Sequence, residues 1–229
     1  MDMSPLWISL KTSISATFFA FILGVTAAKL MSGYQGRLKS VLDGVLILPL
    51  VLPPTVVGFL LLVLFGRHGP VGQLLSSLGT TVIFSWSATV IASTVVAFPL
   101  MYRTSLGAFE QVDPNMLDAA RTLGLSERSI FIRITIPLAW PGIAAGTILA
   151  FARALGEFGA TLMLAGNIPG KTQTIPLAIF FLVESGRRDI AAVWVLIIIA
   201  ISLAAIAGLH FWTKRQLPAG ARPRGEGGG

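Results

Sequence analysis

Apolar positions in this chain come in long unbroken runs, not in the alternating or one-in-three patterns that mark half-buried strands and helices of water-soluble domains. Five runs stand out: residues 8–30, 44–65, 81–101, the stretch from Pro137 to about Gly156, and 190–212. Each is close to the ~20 residues that an α-helix needs to cross a hydrocarbon layer. Lys11 and Lys29 flank the first run, where their stems can lie along the apolar surface and their ammonium groups reach water. Trp86 and Arg103 mark the two ends of the third run, and Trp194 and Trp212 bracket the last. Residues 31–43 read as a polar loop and 66–80 as a loop rich in Gly, Ser and Pro. Two further apolar stretches, Phe158–Ala165 and Ile175–Val183, are too short to span. They read as an extension of the fourth helix and a re-entrant or interfacial helix on the far side. The pattern predicts an all-α membrane protein, a polytopic helical bundle of about five spans, or six if a short span lies within 157–188. It forms one transmembrane unit over residues 1–213, with a flexible Gly- and Pro-rich tail over 214–229.

The second run carries Pro49, Pro53 and Pro54 near its middle. Each proline removes a backbone donor and frees a carbonyl one turn earlier. In lipid those groups need partners, so the chain here is either a broken helix beside a transport path or a kinked packing helix. Thr55 and Gly58 follow, where another helix can approach closely. Gly142 and Gly146 on the fourth run form a similar small-residue face.

Composition agrees with the pattern. Hydrophobic residues make up 54% of the chain and charged ones 12%, against about 45–50% and 25% in soluble domains. There are no cysteines, which excludes disulfides, thiol catalysis and Cys-based metal sites. The net charge is +7, and eleven of the seventeen Lys and Arg residues fall on the side of the loop at about 104–133. That bias predicts a cytoplasmic loop, an outer N-terminus and a cytoplasmic C-terminus. The basic residues sit at span ends, not interleaved with aromatics on a soluble face, so nucleic acid is not a predicted partner.

The loop at 104–133 differs in kind from its surroundings. Arg121, Arg128, Arg133, Asp118 and Glu127 alternate with Leu117, Ala120, Leu123 and Leu125. Asp113 followed by Pro114 is a helix start signal. The reading is a short amphipathic helix, a turn at Gly124, and a second short helix begun by Ser126, with Pro137 marking the turn into the next span. A helix of small residues (Ala119, Ala120) ending in Gly124 has little bulk at its tip and suits docking into a groove of another protein. The plain alternative is a solvated connector.

Few other residues carry chemistry. Arg153 and Glu157 are four apart, the spacing of a helical ion pair, and ionisable groups inside a span face a cavity or each other. The pair is either a self-neutralising packing contact or a source of positive potential along an anion path. Residues 165–172 (Ala-Gly-Asn-Ile-Pro-Gly-Lys-Thr) imitate a phosphate loop, but no parallel strand precedes them and no long helix begins at Lys171. Asn167 belongs instead to an external gate or partner-contact loop. His68 and His210 are far apart and neither sits in metal-ligand spacing. No catalytic constellation, cofactor site or metal site is predicted, so the chain does not read as an enzyme.

The segment Asp118-Ala119-Ala120, three residues, Gly124, nine residues, Ile134, one residue, Ile136-Pro137 resembles the cytoplasmic coupling loop of ABC-importer permeases. Asp118 stands where that family has Glu, and Ile136 where it has Leu. Leu48–Gly58 resembles the second-span motif of oxyanion permeases. Phe151–Ala160, Gly166-Asn167-Ile168-Pro169-Gly170 and Thr174-Ile175-Pro176 are similar to the molybdate permeases, and less so to those for sulfate and thiosulfate. The resemblance covers about residues 8–212. It implies two copies of the chain around a pore, two ATP-binding subunits docked on the paired coupling loops (Leu117, Asp118, Ala119, Ala120, Arg121, Leu123, Gly124, Pro137), and a periplasmic or surface binding protein delivering molybdate or tungstate. Pro53, Pro54, Thr55, Arg153, Glu157 and Asn167 are the candidate pathway or gate residues. A sulfate/thiosulfate permease is the alternative within the class; a self-sufficient secondary anion transporter is the alternative outside it.

Overall fold

The computed structural model describes residues 2–216, with side-chain burial described to residue 208. In chain order the helices are α1 (Ser4–Ser32), α2 (Lys39–Val51), α3 (Pro54–Phe65), α4 (Pro70–Ser77), α5 (Trp86–Glu110), α6 (Pro114–Thr122), α7 (Glu127–Ile130), a π-helical turn (Phe131–Thr135), α8 (Ile136–Leu155), α9 (Gly159–Ala165), α10 (Ile175–Glu184) and α11 (Arg188–Gln216). No strand occurs among the described residues. Among the described residues, four helices are long and apolar enough to cross a membrane: Ser4–Ser32, Trp86–Glu110, Glu127–Leu155 and Arg188–Gly208. The pair α2 and α3, bent by 110°, is a fifth candidate.

Helix α1 is apolar on its outer face and mostly small or polar on its inner one. On α1 the buried positions include Ser9, Thr12, Ser13, Ala16, Thr17, Ala20, Gly24 and Ala28. Trp7, Ile14, Phe18, Phe19, Ile22 and Leu23 face outward. This is the arrangement of helices whose packing cannot rely on hiding apolar surface from water and relies on close backbone approach. The small face meets α5. Thr12 Oγ1 lies 3.0 Å from Thr89 Oγ1, and a Cβ on Gly24 would sit 3.0 Å from the Tyr102 backbone nitrogen. Both contacts advance in the same sense, so α1 and α5 run parallel and the segment between them returns the chain to its starting end. The α8 helix packs antiparallel on α5, Gly142 against Ala108 and Gly146 against Thr104. The small-residue face expected on the fourth run is this contact.

Several boundaries differ from the sequence pattern, each for a physical reason. The third span does not end near Met101. It continues to Glu110 because Ser105, Leu106, Ala108 and Phe109 are buried against the bundle and nothing stops the helix. The polar loop at 31–43 is shorter than expected, since α2 begins at Lys39. The loop at 66–80 contains a helix, α4, started by Pro70, whose preset φ suits the first helical turn. Phe158–Ala165 is no extension of the fourth helix: α8 stops at Gly156 and α9 is a separate helix. Ile175–Glu184 is the expected short helix. The last helix reaches Gln216; the tail predicted to be flexible lies, from residue 217, outside the described residues.

Pro137 does not turn the chain. Helix α7 passes through the π turn into α8 as one rod, Glu127–Leu155. A proline lacks the N–H for the normal ladder and its ring crowds the carbonyl four residues back. The wider π turn immediately before Pro137 accommodates both, so the helix goes on. The second short helix of the predicted pair is therefore the first turn of a spanning rod.

Candidate functional site

Apart from Pro137 and Asn167, the residues singled out by sequence fall at opposite ends of this rod. At one end, Asp113 Oδ1 accepts a hydrogen bond from Asn115 N at 2.9 Å and Pro114 opens α6. Leu123 ends the helix and Gly124 takes φ +76°, the left-handed conformation that releases the chain into Leu125. Ser126 then caps α7, its hydroxyl accepting from Ser129 N at 3.3 Å. Arg121 ties the two helices together. Its Nε donates to Glu127 Oε1 at 2.7 Å and its Nη1 to Asp118 Oδ1 at 2.6 Å. Hydrogen bonding, to Glu127 first and Asp118 second, holds the guanidinium pKa above the usual arginine value.

The result is an exposed tip whose two short helices are tied by Arg121. Ala120 is buried and Leu117 half-buried, while Asp118, Ala119 and Arg121 are exposed. Leu123 is 81% exposed and Met116 50% exposed, which leaves apolar side chains projecting from the tip. A Cβ on Gly124 would meet nothing within 4 Å. Pro137 is not part of this tip; it lies inside the rod.

At the other end all but one of the pathway candidates meet at a corner. The break between α2 and α3 falls at Leu52 and Pro53, both extended, with ψ 142° and 136°. Each precedes a proline, which excludes the helical conformation at both positions in succession. Pro49 leaves α2 intact. Pro53, Pro54 and Thr55 are exposed at this bend. The start of α9 lies directly on it: a Cβ on Gly159 would sit 3.1 Å from Pro54 Cβ and from Thr55 N. One turn on, a Cβ on Gly58 would sit 2.7 Å from Ala160 Cα.

Arg153 and Glu157 form the expected ion pair at 2.8 Å, Nη1 to Oε2. Glu157 is not on α8, however. It lies beyond the helix end, its side chain is 1% exposed, and its second oxygen accepts from Ala160 N at 2.8 Å. The structure thus brings Arg153, Glu157, Pro54 and Thr55 to one corner. Asn167 is elsewhere, past the C-terminal end of α9, with its Oδ1 buried and without a partner. In the phosphate-loop imitation, Thr172 Oγ1 accepts from Ile168 N at 3.0 Å, and the next helix starts only at Ile175. Among the described residues no group of three or more His, Cys, Asp or Glu is placed to hold a metal ion.

Among the long-range polar contacts that the sequence does not announce, one ties α2 to α5. Tyr102, fully buried, donates its hydroxyl to Asp43 Oδ1 at 2.6 Å, and Arg103 approaches the other oxygen at 3.4 Å. The partners are 59 residues apart and no local motif links them. A lone aspartate at the edge of an apolar run was the only available signal.

Comparison with known proteins places this architecture. Residues 20–211 match the family described as binding-protein-dependent transport system inner membrane component. The chain belongs to that family. It is 48% identical over 201 residues to the molybdenum transport system permease protein ModB of Escherichia coli (strain K12), covering 87% of each chain. It is 41% identical over 218 residues to the ModB protein of Haemophilus influenzae, covering 94% of this chain and 95% of the relative. Among solved structures, a bacterial ABC transporter involved in the import of alginate superposes with TM-score 0.76, at 17% identity, over 94% of this chain and 80% of that one. That likeness extends to the fold.

Proposed function

We propose that this chain is the membrane-spanning permease subunit of an ATP-driven importer that takes up molybdate, with tungstate as its close chemical analogue. The observation that carries the reading is the exposed Leu117–Gly124 tip, braced by Arg121 and continuous with a spanning rod, in a chain nearly half identical to molybdenum permeases. The chain supplies no catalytic group of its own. ATP hydrolysis falls to two ATP-binding subunits that dock on the tips of two copies of the chain from the cytoplasmic side. A periplasmic or surface binding protein delivers the oxyanion to the opposite face of the inner membrane.

In this reading the chain crosses five times, with the bent α2–α3 pair as the second span. The parallel packing of α1 and α5 supports that count, because the chain between them has to return. The N-terminus lies outside, the C-terminus in the cytoplasm, and residues 1–213 form one transmembrane unit. ATP binding draws the docked subunits together and rocks the rods as rigid bodies about the central path. Pro53, Pro54, Thr55, Arg153 and Glu157 line or gate that path at the corner, and Asn167 belongs to the outer loop. Selectivity rests with the binding protein, since a pore that grips a dianion tightly cannot release it.

The test is uptake of radiolabelled molybdate by cells carrying the chain with its ATP-binding subunit and binding protein, with unlabelled sulfate and tungstate as competitors. Uptake that depends on the ATP-binding subunit, competed by tungstate and not by sulfate, is expected. Competition by sulfate at equal concentration moves the assignment to a sulfate/thiosulfate permease. Accumulation by the purified chain alone, without an ATP-binding subunit, moves it to a secondary transporter.

A further inference from the structure

Glu157 occupies the joint between the rod and the bend. The rod, Glu127–Leu155, is 29 residues long, about 43 Å at the usual helical rise. It ends abruptly. Gly156 N bonds back to Ala152 O and Glu157 N to Ala154 O, and no further ladder bond joins α8 to α9. Three residues connect the two helices. Such a link would be slack by itself. The Glu157 carboxylate spans it: one oxygen on Arg153 of α8, the other on the backbone N–H of Ala160 in α9, both at 2.8 Å.

On its far side α9 is in backbone contact with α3. Gly159 lies against Pro54 and Thr55, and Gly58 against Ala160 and Met163. Contacts this close, glycine to backbone, leave no room for one helix to slide without the other. A continuous path of contacts therefore runs from the α6 tip through Arg121 into the rod, across Glu157 into α9, and from α9 into α3 at the bend.

We propose that Glu157 is a positioning residue that transmits movement of the rod to the α2–α3 bend. This rests on the importer reading above. A carboxylate is needed because both its oxygens accept, one from a cation and one from a main-chain donor. A glutamine keeps the acceptor for Ala160 and turns an amide N–H₂ toward the Arg153 guanidinium, which has only donors to offer. Burial strengthens the bridge, since water does not compete for either oxygen.

The chain has no cysteine, so a single introduced thiol reports on one place. The experiment uses the assembled transporter in liposomes, with a cysteine-free ATP-binding subunit. Thr55→Cys reports the bend and Ile132→Cys the rod. The rate of modification by a water-soluble maleimide is measured without nucleotide and after trapping with ATP and vanadate. With Glu157 present, both positions change reactivity on trapping. With Glu157→Gln, Ile132→Cys keeps its response and the response at Thr55→Cys falls about tenfold, as does molybdate moved per ATP hydrolysed. If Glu157→Gln does not assemble, Arg153→Gln, which leaves the Ala160 cap in place, provides the same comparison. An undiminished response at Thr55→Cys overturns the proposal. So does loss at both positions, which would put Glu157 in the folding of the rod. No response at Thr55→Cys with Glu157 intact likewise overturns the proposal, and no response at either position with Glu157 intact would overturn the importer reading itself, and this inference with it.

Discussion

Gly58 on α3 lies so close to Ala160 on α9 that a Cβ on the glycine would stand 2.7 Å from the alanine Cα and 2.8 Å from Met163 Cβ. The first of these neighbours is backbone and cannot swing aside. Gly58→Ala should therefore push α3 off α9, at the cost of about 1–3 kcal/mol typical of an overpacked core. The expected result is a lower midpoint of thermal unfolding in detergent. Gly107→Ala is the control, because a Cβ there meets nothing within 4 Å. Equal midpoints for the two variants would contradict the contact.

The Tyr102–Asp43 bond gives a second, independent prediction. It ties α2 to α5 at 2.6 Å, and Tyr102 is fully buried. Tyr102→Phe removes the donor and leaves the carboxylate with the longer contact to Arg103. A hydrogen bond to a charged group contributes about 1.5–3 kcal/mol, so the unfolding midpoint should fall. Asp43→Asn, which still accepts from the tyrosine, should cost less than Asp43→Ala. The order of the three variants in a detergent melt checks this.

These contacts divide what a sequence discloses from what it hides. The runs at 8–30 and 190–212 were legible because a spanning helix needs continuous apolar length, and composition alone displays it. The cap at Asp113, the turn at Gly124 and the Arg153–Glu157 pair were legible because each depends on neighbours within a few residues. The end of α5 at Glu110 was not. Past Arg103 that helix faces protein, so its hydropathy no longer resembles a span although the helix persists. Pro137 was misleading for a related reason: a proline forbids one hydrogen bond, and a π turn supplies the detour. The separation of α9 from α8 depends on a main-chain bond accepted by a buried carboxylate, and the partnership of Asp43 with Tyr102 on the folded bundle. Neither leaves a periodic trace.

The bend between α2 and α3 should be redundantly encoded. Leu52 is extended because Pro53 follows it, and Pro53 is extended because Pro54 follows it. Pro53→Ala leaves position 53 ahead of a proline, and Pro54→Ala leaves Leu52 ahead of one. Each single variant should keep the bend and most of the uptake. The double variant removes both restrictions and allows α2 to continue into α3, so uptake should fall by about tenfold or more if the bend borders the path. Uptake by the double variant at the level of the singles would show that the bend has no part in transport.

Gly124 separates docking from folding most cleanly. Its φ of +76° strains any residue with a Cβ, yet that Cβ would meet no atom within 4 Å. Alanine and leucine at this position thus share the same backbone penalty, roughly 1 kcal/mol, and both should melt alike. They differ only in the bulk they project from the tip. If the tip seats in a groove of an ATP-binding subunit, Gly124→Leu should weaken co-purification of that subunit about tenfold relative to Gly124→Ala, and uptake with it. Gly124→Asn, a residue that tolerates the left-handed conformation, should fall between them. A leucine variant that assembles and transports as well as the alanine variant would leave the exposed helix as a solvated connector, and the coupling role would have to be sought elsewhere on the chain.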